Sequence, residues 1–301
     1  MPETPEPGGP PERRPGPGRL YVVATPIGNL GDVSPRALET LRSVGLVAAE
    51  DTRRTGLLLR HFGIARPLLS YHAHNRQARL PRLLAALAEG DVALVTDAGT
   101  PVVSDPGEDL VAAAAGQGIE VIAVPGPSAA VAAVSVSGLP AAPFHVVGFL
   151  PRRGPERRRA LQGMSGWPGC VVLFEAPHRL RDCLDDLLAG WGERRVAVCC
   201  ELTKRFESVL RTTLGGAVAH FAATAPRGEY TLVVEGAAAP PAPPGGAGGA
   251  APGGLTAGAL EARFAALSGE LGDRRRALTA LAAETGVSRK ALYARLMTRE
   301  A

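Results

Sequence analysis

The chain has 301 residues, 46% hydrophobic and 21% charged, with 37 glycines, 27 prolines and a formal net charge of +4. That length supports two or three domains with proper cores. No apolar run approaches the ~18 residues of a spanning helix, and no basic segment leads into an apolar stretch as a secretory signal requires.

Residues 1–18 contain seven prolines and four glycines without apolar periodicity and are expected to form a disordered tail. Short continuous apolar runs follow at 20–24, 44–49, 92–95, 121–124, 144–149, 171–174, 196–200 and 232–234, with amphipathic stretches such as 79–88 and 179–188 between them. Continuous runs suit strands buried on both faces. Their alternation with helices predicts α/β units around open, mostly parallel sheets. The Gly138-Leu139-Pro140 break precedes the second series of strands, so two α/β lobes are expected, at 19–139 and 140–236. Residues 237–254 are solely alanine, proline and glycine, the composition of a linker. In the tail, 255–301, Leu278 and Leu281 precede Gly286, Ser288 is placed as an N-cap, and Val287 and Leu292 occupy hydrophobic-staple positions. Helix, glycine turn and capped helix make a helix-turn-helix-like layout. Four cysteines, Cys170, Cys183, Cys199 and Cys200, form no CxxC pair and read as reduced thiols of a cytoplasmic protein.

Ligands in open α/β sheets bind beyond the carboxyl ends of the strands, and here those ends are polar or glycine-rich. They are Thr25-Pro26-Ile27-Gly28, Glu50-Asp51-Thr52-Arg53, Thr96 through Pro101 continuing to Ser104-Asp105-Pro106-Gly107, and Gly126-Pro127-Ser128-Ala129. The second lobe supplies Glu175-Ala176-Pro177-His178-Arg179 and Glu201-Leu202-Thr203-Lys204. Taken singly, Ser128 and Asp105 suit plain helix N-caps; taken together, six such ends point to a site. A dinucleotide fingerprint is missing, because Pro26 has no N–H to offer a pyrophosphate, and no phosphate-binding P-loop occurs. A small ligand with an amine, a carboxylate and an apolar ring suits these turns, and S-adenosylmethionine is one such ligand.

His72 and His74 are two apart, which in a strand puts them on one face. With no third ligand nearby they do not make a zinc site, and an RNA-facing or structural role remains. Arg152, Arg153, Arg157, Arg158 and Arg159 can neutralise phosphates or form a solvated helix start.

The strings VVATPIGNLGD (22–32), AAEDTR (48–53), SYHAHN (70–75), VTDAGTPVVSDPG (95–107), VPGPSA (124–129), GFLPR (148–152), FEAPHR (174–179), ELTKRFE (201–207) and RGEYTLVVEG (227–236) resemble the ribosomal RNA small-subunit methyltransferase I family, within the tetrapyrrole (corrin/porphyrin) methylase superfamily. Corrin methylases carry Gly-Asp-Pro where this chain has Gly99-Thr100-Pro101, which favours the RNA branch. The resemblance implies two α/β lobes with S-adenosylmethionine between them, and 2′-O-methylation of a decoding-region cytidine in 16S rRNA of the 30S subunit by a cytoplasmic homodimer. It implies donor contacts from Thr25, Pro26, Ile27, Asp97, Ala98, Gly99, Thr100, Pro101, Val103, Ser104, Ser128 and Ala129, closed over by Phe174, Glu175, Arg227 and Gly228. Arg53, His72, His74, Arg179 and the arginine run would face RNA, and the tail module would grip it.

The proton of a ribose hydroxyl needs an acceptor. Lys204 is the first candidate, if burial lowers its pKa; Glu201 and Glu175 are alternatives. Two other readings stay open: a same-fold methylase acting on a tetrapyrrole or other small molecule, and a helix-turn-helix regulator with a ligand-sensing body.

Overall fold

The computed structural model describes residues 18–237, 257–285 and 287–297. Residues 1–17 of the expected 1–18 tail, 238–254 of the expected 237–254 linker, and 255–256, Gly286 and 298–301 of the expected tail domain lie outside the described residues. The chain divides into two compact units between residues 238 and 239.

In the first unit, β1 (Leu20–Val23), α1 (Pro35–Ser43), β2 (Leu46–Ala49), α2 (Thr52–His61), β3 (Leu68–Ser70), α3 (Arg76–Glu89), β4 (Val92–Val95), α4 (Glu108–Gly116) and β5 (Val121–Val124) build a five-stranded sheet of order β3-β2-β4-β1-β5, parallel throughout. The central strands LVAA and VALV are apolar at every position because helices cover both faces. Ser34 caps α1 by accepting the Ala37 N–H at 3.1 Å, with Pro35 at the first helical position. Asp51 caps α2 by accepting the Arg53 N–H at 2.8 Å.

Next come α5 (Ala129–Ser137), β6 (Phe144–Phe149), α6 (Gly154–Met164), β7 (Cys170–Glu175), α7 (Leu180–Trp191), β8 (Arg195–Cys200), β9 (Ser208–Thr213), α8 (Leu214–Ala223) and β10 (Tyr230–Val234). The second sheet, of order β6-β7-β10-β8-β9, departs from the expectation of mostly parallel pairing: only β6 and β7 run parallel, and the other three pairs are antiparallel. A seven-residue turn, 201–207, joins β8 to β9, too short for a crossover and long enough only to reverse the chain. The edge strands β3 and β9 are additions to the sequence reading. One is three residues long; the other, SVLRTT, has no buried position.

Helix α5, expected in the first lobe, lies on the second sheet. Its Ala130, Ala133 and Val134 pack with Val172, Ala197, Cys199 and Val233, and Ile27 of the first lobe joins the same cluster. That double contact takes up the buried positions of AAVAAVSVS and leaves Val131 and Ser135 exposed.

The second unit consists of α9 (Ala257–Leu271), α10 (Arg274–Thr285) and α11 (Arg289–Met297) around Leu260, Phe264, Leu267, Ala277, Leu281 and Leu292. Ser288 Oγ accepts the Ala291 N–H at 3.3 Å, the expected cap. Among the described residues, no helix is long and apolar enough to cross a membrane.

Candidate active site

Three first-lobe turns are stitched together at the carboxyl ends of β1, β4 and β5. The Thr25 N–H donates to the Gly99 carbonyl at 2.9 Å and the Gly99 N–H returns to Thr25 at 3.1 Å. The Thr25 hydroxyl donates to the Thr96 carbonyl at 3.1 Å, and Thr100 Oγ1 donates to the Pro127 carbonyl at 3.2 Å. Gly99 has φ +88°, and a Cβ there would stand 3.4 Å from the Ile27 side chain. Ser128 sits at the N-cap of α5 yet makes no capping bond, which leaves the first-turn N–H groups of that helix without a side-chain partner. Asp105 is no cap either, because Gly107 holds that position before α4.

A cavity of about 370 Å³ opens beside these turns. From the expected donor set it takes Thr25, Pro26 and Asp97; Gly28, Leu30 and, from α2, Arg54, Thr55, Leu58 and His61 are additional lining residues. Asp97 accepts the Asp51 N–H at 3.0 Å and pairs with Arg54 at 3.2 Å. Ala98, Gly99, Thr100, Pro101, Val103, Ser104, Ser128 and Ala129 are not in this lining. Beyond it, the loop from Gly99 to Gly107 carries Val102 at φ 74° and Ser104 at φ 66°. Ser104 reaches the second lobe, where a Cβ at Gly148 would collide with its hydroxyl.

Sequence reasoning passed over Asp105 as a site residue. Burial, then the charge of Glu50, push its carboxyl up to about 6; contact with Thr96 opposes this and Asp97 adds to it. The legible signal was the acidic company at the neighbouring strand ends, Glu50 after β2 and Asp97 after β4.

In the second lobe, the turn after β8 meets the turn before β10. Lys204 Nζ lies 2.8 Å from Glu201 Oε1 and 2.8 Å from Glu229 Oε2. Glu201 Oε1 also accepts the Glu229 N–H at 2.9 Å. Gly228, at φ +78°, is obligatory there, since a Cβ would stand 2.5 Å from Glu201 Cγ. The Lys204 stem rests on Gly28 of the first lobe, so Glu201, Lys204 and Gly228 come together at the junction with the β1 turn. Exposed Arg227 joins this turn through its backbone N–H, donated to the Tyr230 hydroxyl at 3.0 Å.

The expected lowering of the Lys204 pKa does not occur. Burial alone lowers it, but hydrogen bonds to Glu201 and Glu229 outweigh that effect and hold the ammonium above the ordinary lysine range. The same bond to Lys204 is the main reason Glu201 is held below the usual carboxylate range.

Glu175 and Phe174 alternate across β7. Phe174 faces the α5 side and meets exposed Phe149 at 5.7 Å between ring centroids. Glu175 is buried on the other face, toward Cys183, pairs with Arg179 at 3.2 Å, and accepts the Ala176 N–H at 3.0 Å. It therefore stands apart from Lys204.

Two expected RNA-facing arginines are also structural. Arg157 is buried, pairs with Asp186 at 2.6 Å and donates to the Pro151 carbonyl at 3.1 Å. Arg179, besides its Glu175 pair, donates to the Leu150 carbonyl at 2.8 Å. Arg152, Arg153, Arg158 and Arg159 are exposed, as is Arg53 beside Asp51. His72 and His74 lie in the turn before α3 rather than in a strand, with the His74 N–H donating to His72 Nδ1 at 3.2 Å. Among the described residues, no group of three or more His, Cys, Asp or Glu side chains is placed to hold a metal ion.

Residues 19–218 match the tetrapyrrole (corrin/porphyrin) methylases. The chain belongs to that family. Curated relatives named ribosomal RNA small subunit methyltransferase I include those of Halalkalibacterium halodurans, 51% identical over 73% of this chain and 76% of the relative, and Escherichia coli O157:H7, 48% identical over 73% and 78%. The protein of that name from Thermotoga maritima is 47% identical, matching 73% of this chain over 99% of its own length. Among solved structures, a cobalt precorrin-4 methyltransferase aligns with TM-score 0.53 and 16% identity over 72% of this chain and 94% of its own. The uroporphyrin III C-methyltransferase of Thermus thermophilus gives 0.51 and 20% over 72% and 97%. At those identities the likeness establishes the fold.

Methylases of this family take their methyl group from S-adenosylmethionine, and the residues present suit it. The cavity sets apolar Leu30 and Leu58 beside Asp97, whose charge Arg54 already offsets, matching an apolar ring that carries polar hydroxyls. The uncapped start of α5 with Ser128 suits a carboxylate.

Proposed function

We propose that the protein transfers the methyl group of S-adenosylmethionine to small-subunit ribosomal RNA, at the 2′-hydroxyl of a decoding-region cytidine within the 30S particle. The observation that carries this reading is the 51% identity to a protein of that name across the same span that folds into the two stitched sheets. Nothing in the cavity lining favours a tetrapyrrole: it is small, with a guanidinium and a carboxylate at its mouth.

The donor supplies an activated methyl group, so the chain's main task is alignment. Thr25, Pro26, Asp97 and the Gly99–Pro101 turn would hold it from the first lobe, with Ser128 and Ala129 at the start of α5. Phe174, Arg227 and Gly228 would bound it from the second. Lys204, kept cationic by Glu201 and Glu229, would fix the junction and face the phosphates of the incoming strand. A carboxyl raised by burial is better matched to accept a hydroxyl proton than an ammonium, and Asp105, in contact with Thr96 of the cavity lining, is such a carboxyl. Exposed Arg152, Arg153, Arg158 and Arg159, with the helical tail unit, would add phosphate contacts. Pairing of two copies and a cytoplasmic location complete the reading.

The test incubates the full chain with methyl-labelled S-adenosylmethionine and unmodified 30S subunits, then maps the label by nuclease digestion. Label on a cytidine ribose of 16S rRNA supports the reading; unlabelled RNA, or label on a base, overturns it. Asp105→Asn should lower kcat by about 10²–10³-fold with unchanged donor affinity. A fully active variant removes Asp105 as proton acceptor.

A further inference from the structure

On α2, Arg53, Gly56, Leu57 and Arg60 recur at the spacing that puts residues on one helical face. Opposite them, residues 64–68 lead into β3, the edge strand of the first sheet. Between these two walls runs a groove of about 450 Å³, lined by Arg53, Arg60 and Arg66 and floored by Leu57, Ile64 and Leu68, with no acidic residue in its lining. It is larger than the cavity at the donor turns and is separated from it by one ridge, because Leu57 borders both.

Two details argue that something anionic and partly apolar covers this groove. Leu57 stands 61% exposed and carries the apolar lining of Ile64 and Leu68 out to the groove's rim, where a ligand can reach it. Arg60 and Arg66 are steered by backbone carbonyls: Arg60 Nε donates to Gly56 at 3.3 Å, and Arg66 donates to Arg42. Among the described residues no carboxylate pairs with either, so both charges stay available. At the groove's upper end, Thr52 and Arg53 follow Asp51, whose N–H is bound by Asp97 in the donor cavity.

We infer that this groove binds single-stranded RNA immediately flanking the methylated nucleotide, with a phosphate between Arg60 and Arg66 and a base or ribose face on Leu57. Guanidinium forks grip phosphate oxygens in pairs, and an aliphatic floor packs against a base or sugar face without reading its hydrogen-bonding edge. A purely apolar protein segment would leave the Arg60 and Arg66 guanidinium groups covered without counter-charge, which is costly. The inference rests on the RNA-methylating reading and extends it to a second subsite.

The experiment compares wild type with Arg60→Ala/Arg66→Ala and Arg60→Glu/Arg66→Glu. Both residues are exposed, and thermal melts of each variant check that the fold is kept. With 30S subunits and labelled donor, the alanine pair should raise KM for RNA about tenfold or more, as loss of a charge-assisted phosphate contact predicts. kcat and donor affinity should stay within about twofold, and the salt slope of RNA binding should fall by about 0.7, one single-strand phosphate. Charge reversal should raise KM further. An unchanged KM and slope, or a loss confined to kcat, overturns the groove.

A second arm keeps the groove testable if no RNA is methylated at all, which would sink the functional reading alone. Binding of a fluorescein-labelled single-stranded oligoribonucleotide, followed by anisotropy, should weaken in the same variants. Equal affinity there also overturns the groove.

Discussion

Replacing Asp105 by asparagine isolates one partly buried charge and should stabilise the protein in a pH-dependent way. The carboxyl's pKa rises from an ordinary 3.8 to about 6, through burial first and the charge of Glu50 second, against the pull of Thr96 and with a further push from Asp97. A rise of that size amounts to about 3 kcal/mol at 1.36 kcal/mol per unit. Because the residue is only partly buried, solvent screening reduces this to about 1.5 kcal/mol. Since the folded pKa lies above the unfolded one, the folded chain holds the extra proton between about pH 4 and 6. Wild-type stability therefore declines as pH rises through that window and is level above it. Asparagine is nearly isosteric and cannot ionise, so the variant should match wild type near pH 4 and exceed it by about 1.5 kcal/mol at pH 7.5. Urea titrations from pH 4 to 8 can follow Trp167 and Trp191, the two tryptophans, which both report on the first unit. Glu50 and Asp97 are present in both proteins, so the difference curve carries the Asp105 contribution and its coupling to them. A gap of the same size at every pH, or a variant less stable at pH 7.5, would refute the burial argument.

Lys204→Met keeps the stem against Gly28 but removes the charge, so turnover should fall at every pH between 6 and 9 without displacing the alkaline limb of the rate profile; a displaced limb would return Lys204 to the role of base. Arg157→Ala should cost about 1–3 kcal/mol in urea unfolding, because it removes a buried side chain and its bond to the Pro151 carbonyl while half-exposed Asp186 is resolvated, whereas exposed Arg158→Ala should cost under about 0.5; equal costs would contradict the inward placement of Arg157. Val102→Gly relieves a β-branched residue at φ 74° but gives up its packing on the first-lobe core, so it should cost under about 1 kcal/mol in urea unfolding; a loss of about 2 kcal/mol or more, the full cost of truncating an unstrained core valine, would mean that the turn stores no strain. Removing residues 239–301 should leave donor affinity within about twofold by calorimetry, since they form a separate compact unit and the Thermotoga maritima relative is matched over 99% of its length by 73% of this chain. Loss of donor binding would show that the body needs its tail.

The parts of the fold legible in the sequence were those whose burial leaves a continuous apolar run: LVAA and VALV could only be central strands. Direction was not legible, because an apolar run reports burial on two faces and says nothing about which way its neighbour runs. The antiparallel pairing of β8 with β9 thus depended on the length of the 201–207 turn, a feature read for its chemistry and not for its geometry. Edge strands β3 and β9 carry little apolar signal because only one side of each is paired. In the candidate site, glycine and proline at strand ends marked the turns correctly, but the state of Lys204 depends on Glu229, 25 positions away, which no local pattern connects. The inward turn of Arg157 was available: Arg157, Leu161 and Met164 follow the i, i+4, i+7 spacing of a buried helix face, and the arginine count masked it.

Strain ties these turns together more firmly than motif likeness does. Among the described residues, the non-glycine positions with positive φ are Val102, Ser104, Glu201 and Thr203. Two lie in the loop after β4 and two in the turn after β8, one from each lobe, and both loops meet the opposite lobe at a glycine, Gly148 for Ser104 and Gly28 for Lys204. Each such residue costs of order 1–3 kcal/mol where asparagine or glycine would sit more easily. In turns that served only to reverse the chain, glycine would relieve that cost at all four positions. What they do instead is hold Ser104 and Lys204 rigidly across the lobe junction, so the geometry of any ligand between the sheets is set before it arrives. A preformed alignment of that kind is what an in-line methyl transfer demands, and it explains why the strain gathers at these two loops.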